Sequence, residues 1–297
     1  MEPRPARDRL PTRCFFVSDL HGRLDRYEKL FAAISSRRPA AVFLGGDLFP
    51  HFGYSRVASG DGPPEFVEGF LAPHFEALRS ALGEGYPSVF MILGNDDGRL
   101  EEDSVRAAGR RGLWEYLHGR KSHWLDWTLF GYSFIPPTPF SNKDWERYDV
   151  SRFVDPGCVS PEEGWRSVPV PESEAKFATI QEDLAKLAGE AEMDRAIFLF
   201  HSPPYRTKLD RAALDGKSVD HAPIDVNIGS IAVRRFIESR QPLITMHGHV
   251  HESAGITGSW RDRIGRTDLF SAAHRGPELA LVLFDPADPE GATRELI

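Results

Sequence analysis

Five apolar runs in this sequence stop at residues able to bind a metal ion. Cys14-Phe15-Phe16-Val17 leads into Asp19-Leu20-His21, and the run 40–44 leads into Gly45-Gly46-Asp47. The run 88–93 ends at Gly94-Asn95-Asp96-Asp97, and the run 196–200 at His201. The run 243–246 ends at His247-Gly248-His249-Val250-His251. Side chains alternate along a strand, so Asp19 and His21, two residues apart, should leave the strand end on one face. Alone, that tripeptide also reads as a surface turn; five such endings in order are hard to attribute to chance. In open α/β sheets, sites form at the carboxyl ends of strands, on loops held by a rigid scaffold.

Asp, Asn and His make a mixed oxygen and nitrogen donor set. It suits Mn, Fe, Co, Ni or Zn better than Ca or Mg, which prefer oxygen alone. Asp19, His21, Asp47, Asn95, His201, His249 and His251 are too many for one ion with open positions. Two ions sharing a carboxylate would use them all. Two metals about 3.5–4 Å apart are a recognised template for displacement at phosphorus.

The elements that must position these residues read as β-α-β units. Leu24, Tyr27, Leu30, Phe31 and Ile34 fall at helical spacing between the first two strands, and Pro39 ends that helix. Such units imply parallel strands with right-handed crossovers. Helices are expected over 65–82, within 100–117, over 172–190 and over 228–239. Short strands are expected within 123–134 around a turn near Asp126, and near 255–257, 269–272 and 279–284. The stretches 51–64 and 205–227 read as long polar loops, a type that often binds ligands. Residues 135–171 hold many prolines and the aromatics Trp145, Tyr148 and Phe153. They read as an irregular insertion, with too little apolar content for a core of their own. Residues 1–12 read as a loose arm, and 1–297 as one domain.

Composition narrows the function classes. The chain has 297 residues, 41% hydrophobic and 27% charged, which is ordinary for a globular protein. Its net charge of -8 argues against sequence-independent binding to nucleic acid or anionic membrane. A small phosphorylated substrate remains compatible, because bound cations reverse the local field. Two distant cysteines, Cys14 and Cys158, allow no disulfide framework. The N-terminus lacks an apolar signal-like core, and no run of about 18 apolar residues occurs. A cytoplasmic protein is the expectation; oligomeric state is not legible.

Asp19-x-His21, Gly46-Asp47, Gly94-Asn95-(x)-Asp97, His201 and Gly248-His249-x-His251 together resemble the signature of calcineurin-like metallophosphoesterases. The five blocks span Asp19 to His251 in family order. The resemblance implies a four-layer α/β/β/α sandwich, two facing mixed β-sheets flanked by helices. It also implies two divalent metals. Asp19, His21, Asp47 and His251 would hold one, and Asp47, Asn95, His201 and His249 the other. Asp47 would bridge, and a metal-bridging hydroxide would attack a phosphate monoester or diester.

One position departs from the pattern. The family's third block usually carries a histidine after the asparagine, thought to serve the transition state or the leaving group; here it is Asp96. A carboxylate near a phosphate is repelled unless protonated, and nearby metals favour its charged form. Three readings follow. The enzyme relies on its metals and prefers good leaving groups; another histidine (His51, His74, His221 or His247) fills the role; or the protein binds metals and catalyses little. A scaffold that kept the sandwich and lost the chemistry is the rival from another class. The intact ligand set favours an enzyme.

Of the remaining residues, Asp97 should orient its loop by hydrogen bonds, and His247 lies beside the ligand cluster. His118 and His123 read as surface residues. Arg99 and Arg206 follow strand ends, within reach of a phosphate, although surface arginine is the default for both.

Overall fold

The computed structural model describes residues 12–51 and 66–297. The arm expected at 1–12, apart from Thr12, and most of the loop 51–64 lie outside the described residues. The chain begins β1 (Cys14–Val17), α1 (Leu24–Arg37) and β2 (Ala41–Gly45). A π-helical turn (Val67–Leu71) continues into α2 (Ala72–Leu82), followed by β3 (Ser88–Ile92), α3 (Glu102–Arg110) and β4 (Glu115–Tyr116). Then come β5 (Arg120–Trp124), β6 (Trp127–Tyr132), α4 (Glu172–Phe177), α5 (Ile180–Ala188) and β7 (Ala196–Phe200). A small hairpin, β8 (Ser218–Val219) and β9 (Ala222–Pro223), precedes α6 (Ile231–Arg240) and β10 (Ile244–His247). The chain closes with α7 (Ser253–Thr257), β11 (Arg261–Ile264), β12 (Thr267–Ser271), β13 (Ala280–Asp285) and β14 (Asp288–Leu296).

Two six-stranded sheets result, in the orders β14-β13-β1-β2-β3-β4 and β11-β12-β10-β7-β6-β5. Both are mixed. In the first, β1 to β4 run parallel and β13 and β14 join antiparallel. In the second, β6, β7, β10 and β12 are parallel, with antiparallel β5 and β11 at the edges. This is the expected sandwich. It explains why the central strands are apolar throughout rather than alternating: each is covered on both faces. From β1, Cys14 and Phe16 enter the layer between the sheets with Phe43, Phe90, Ile197, Leu199 and Met246. Phe15 and Val17 point the other way, into a cluster with Tyr27, Leu30 and Ile34 of α1. Phe198 and Phe200 of β7 do the same with Leu184 of α5 and Phe236 of α6. Each of these side chains contributes about 1.5–3 kcal/mol by leaving water. Because both sheets are centred on parallel strands, the ends of β1, β2 and β3 meet those of β7 and β10 at one edge of the sandwich.

Three expectations need correction. The helix expected over 172–190 is two helices, because Ala178 and Thr179 are extended. Ile180 N–H donates to Tyr148 O at 2.8 Å, pulling the chain straight there. Thr179 then caps α5 by accepting from Glu182 N–H. Thr179-x-x-Glu182 is a capping-box pattern that marks this start in the sequence. The strand expected near 255–257 is instead the short helix α7, and the polar edge strands β11 and β14 were not expected. Polar edge strands lack the apolar alternation by which a strand is read.

The insertion packs through its aromatics rather than through strands. Trp145 and Tyr148 are buried, whereas Phe153 is 69% exposed. Trp145 Nε1–H donates to Asp97 O at 2.8 Å, and the Asp144 carboxylate accepts from Arg99 N–H at 2.9 Å. The insertion therefore buttresses the loop after β3. Asp149 reaches across to accept from Ile231 and Ala232 N–H at the start of α6. Among the described residues, no helix is long and apolar enough to cross a membrane.

Candidate metal centre

Asp19 and His21 lie beyond β1, in a turn rather than on its alternating face. Both adopt left-handed backbone, φ 57° and 50°, as do Asp47 at 52° and His249 at 74°. Non-glycine residues rarely take this conformation, which costs about 1–3 kcal/mol each and persists where the surroundings enforce it. Here the turns after β1 and β2 are stitched together. Asp19 N–H donates to Gly46 O at 2.9 Å, His21 N–H to Asp47 O at 2.8 Å, and Gly22 N–H to Leu48 O at 2.9 Å. Asp97 clamps the next loop: its carboxylate accepts from Leu48, Phe49 and Gly94 N–H at 2.7–2.8 Å. This is the loop-orienting part expected of Asp97. Burial and then the charge of Asp47 push its carboxyl up to about 8, against those three donors.

These turns bring the strand-end residues into two groups. Ligand atoms of Asp19, His21, Asp47 and His251 lie within 4.8 Å of one another, and so do those of Asp47, His201 and His249. Asp47 is common to both. Its Oδ2 is 3.2 Å from His201 Nε2 and 3.9 Å from His21 Nε2, while Oδ1 accepts from Asp96 N–H at 2.8 Å. Asn95 joins the second group through Oδ1, 3.1 Å from His201 Nε2. In the first group, Nε2 of His21 and of His251 approach to 3.0 Å, and His251 Nε2 is 3.2 Å from Asp19 Oδ1.

The donor chemistry fits divalent ions. His201 Nδ1–H donates to Gly45 O at 2.8 Å, which leaves Nε2 to face the group; such an outer contact fixes a ligating imidazole. Asp19 and Asp47 are 0% and 2% exposed, yet both stay ionised. For Asp19, burial raises the carboxyl, but the hydrogen bond and charge of His251 bring it down to about 2. For Asp47, burial is outweighed by His201 and His21, which hold it below the usual carboxylate range. Burial depresses His201, and the Asp47 and Asp19 charges overcome that and lift it to about 10. Burial and the charge of His201 bring His249 down to about 4. Two buried carboxylates, facing imidazoles of which His201 carries a proton that a metal ion would displace, constitute a site that favours cations.

Close approach also explains a glycine. A Cβ on Gly94 would fall inside contact distance of Asp47 Oδ1 and N, and 2.6 Å from His201 Cε1. No side chain fits between Asp47 and His201 at that point.

The other candidates separate clearly. Asp96 sits at the rim, its Oδ2 3.4 Å from His21 Nδ1 and 2.9 Å from His51 Nδ1. The His51 ring stacks on His21 at 4.8 Å. His74 lies on α2 with Nδ1 2.7 Å from Phe70 O, and His221 is exposed in the β8–β9 turn. His247 is buried, with Nδ1 2.9 Å from Ser202 O and Nε2 2.8 Å from Thr245 Oγ1. Arg99 lies over Trp145 at 5.3 Å and pairs with Glu102, and Arg206 lies over Tyr205. One contributor escaped the sequence: the buried Arg26 donates to Asp19 O at 2.6 Å and to Gly276 O at 2.6 Å. It carries no motif, and its two partners are remote from each other in the chain.

His118 is half-buried, with its ring turned inward rather than standing free on the surface. Its Nδ1 accepts from Ser133 N–H at 3.0 Å, and its ring lies 4.9 Å from Trp145. Burial, then Arg99, Arg147 and Arg106, push it down to about 3. The folded state therefore holds it neutral, and the stability this confers is present above the unfolded value of 6.5. As pH falls below that value the unfolded chain takes up a proton the folded chain refuses, so stability drops until about pH 3. His118→Asn keeps an acceptor and cannot titrate. Thermal melts from neutral to acid pH are expected to fall less steeply for that variant; parallel curves would contradict this.

Comparison with known proteins follows the same lines. The family model described as calcineurin-like phosphoesterase matches residues 12–253. No curated protein matches the chain. Among solved structures, one crystal structure aligns with a TM-score of 0.60 at 15% identity, covering 97% of this chain and 99% of the other. The crystal structure of TT1561 of Thermus thermophilus aligns with a TM-score of 0.57, also at 15% identity, covering 97% and 99%. At such identities these neighbours speak for the fold alone. The match of the family model over most of the chain, on a sandwich of two mixed sheets, places this protein in the calcineurin-like phosphoesterase family.

Proposed function

We propose that the protein hydrolyses a phosphate monoester or diester of a small molecule at a centre of two divalent metal ions. One observation carries this reading: Asp47 belongs to both ligand groups, so a single carboxylate can bridge two ions. Asp19, His21, Asp47 and His251 would hold one ion, and Asp47, Asn95, His201 and His249 the other. When bound, the pair supplies a water acidified to neutral pH and positive charge for the phosphoryl oxygens.

The chain's own residues do the positioning. Asp19 and Asp47 furnish the buried negative charge that would retain the ions. Gly45 O orients His201, and Asp97 fixes the loops after β2 and β3, so the donor geometry is set before substrate arrives. Imidazole donors point to Mn, Fe, Co, Ni or Zn.

The test is direct. Purified protein supplied with Mn²⁺ should turn over chromogenic mono- or diesters and contain close to two bound metal equivalents. No turnover with any metal or ester, together with no bound metal, would end this reading and favour a scaffold that binds a partner.

A further inference from the structure

The rim of the site holds an imidazole that neither ligand group uses. His51 follows Asp47 by four residues and is 62% exposed, whereas His21 beneath it is only 10% exposed. Two contacts hold the ring: its Nδ1 lies 2.9 Å from Asp96 Oδ2, and its face stacks on His21 at 4.8 Å with the planes 25° apart. Asp96 is held in turn by its own N–H, which donates to Asp47 Oδ1 at 2.8 Å. The chain of contacts thus runs from the shared carboxylate through Asp96 to an outward-facing ring. With Nδ1–H donated to the Asp96 carboxylate, Nε2 is the nitrogen left for a ligand, and it is a donor when the ring is the imidazolium that carries both hydrogens.

Hydrolysis of an ester with a poor leaving group needs a hydrogen-bond donor at the oxygen that departs. The seven residues of the two groups would turn their lone pairs to bound ions, and Asp96 offers only a carboxylate. Among the described residues, His51 is the N–H donor that stacks on a group member and faces outward. Resting on the phosphoesterase reading above, we propose that His51 Nε2 contacts the departing ester oxygen, and that Asp96 is a positioning residue that holds the His51 ring. In the step, the oxygen of water forms a bond to phosphorus and the P–O bond to the leaving group breaks. The electron pair goes to the departing oxygen, which takes the Nε2 proton of the His51 imidazolium, and the proton lost by the water restores the ring.

The experiment uses the full chain loaded with Zn²⁺ and a series of esters from 4-nitrophenyl to alkyl. His51→Ala is expected to lose less than about tenfold on the 4-nitrophenyl ester and about 10²–10³-fold on alkyl esters. Asp96→Asn should tilt the series in the same sense by a smaller factor, and added imidazole should restore part of the His51→Ala loss on alkyl esters. A loss equal across the series, or no loss, overturns the proposal. A fall of one metal equivalent in His51→Ala also overturns it, since His21, His51 and Asp96 would then form a metal site of their own. A readout independent of turnover is the ¹⁵N signal of the His51 ring on addition of inorganic phosphate. A shift is expected, and an unmoved signal counts against contact. If wild-type protein hydrolyses no ester, the phosphoesterase reading fails, and the phosphate titration alone decides whether His51 meets a phosphoryl group.

Discussion

Replacing Asp47 by asparagine is expected to lower kcat/KM by roughly 10³-fold, about 4 kcal/mol of transition-state stabilisation, and to reduce bound metal. No other single ligand change should cost as much. Asp47 is the one residue in both ligand groups, with Oδ2 3.2 Å from His201 Nε2 and 3.9 Å from His21 Nε2. Asparagine removes the negative charge and replaces one oxygen by an amide nitrogen that cannot ligate. His21→Ala removes one donor from the first group and leaves the second intact. Parallel measurement of kcat/KM and metal content for the two variants checks this. If Asp47→Asn is no worse than His21→Ala, Asp47 does not bridge.

The second large effect falls on a residue with no side chain. Gly94→Ala is expected to cost about 1–3 kcal/mol of stability, by overpacking, and to abolish most metal binding. The added Cβ meets Asp47 Oδ1, the Asp47 backbone N and His201 Cε1. The backbone atom cannot move without breaking the ladder between the turns after β1 and β2. Both side chains it would displace belong to the second ligand group. Gly255→Ala is the control, since nothing lies within 4 Å of a Cβ there and Gly255 sits in helix α7. Thermal melts and metal analysis should separate the two variants. A Gly94→Ala protein that melts and binds metal like Gly255→Ala would show that this close approach is dispensable.

Much of the framework is legible in the sequence because it rests on local patterns. Strands buried on both faces appear as unbroken apolar runs, and β7 is found to the residue at Ala196–Phe200. The helix between β1 and β2 appears through its 3.6-residue period. Elements whose stability comes from tertiary contacts are the ones misread. The break at Ala178 and Thr179 exists because Tyr148, within the insertion, pairs with Thr179. His118 looks like a surface residue from its basic neighbours, and only its contacts with Trp145 and Ser133 show the ring half-buried.

The site divides in the same way. The sequence by itself determined which donors stand at the strand ends, because metal chemistry dictates residue types and the strand pattern dictates where they stop. It suggested that Asp19 and His21 converge through strand alternation. In the structure they converge through two left-handed residues in a turn, held by hydrogen bonds to Gly46 and Asp47 carbonyls. The family resemblance already implied that Asp47 is shared, and the structure supplied the distances; tertiary structure alone decided that Arg26 lies under Asp19 and that Asp96 faces His51 instead of an open site. These are distances between loops far apart in the chain, fixed by the facing of two sheets, and no local spacing encodes them.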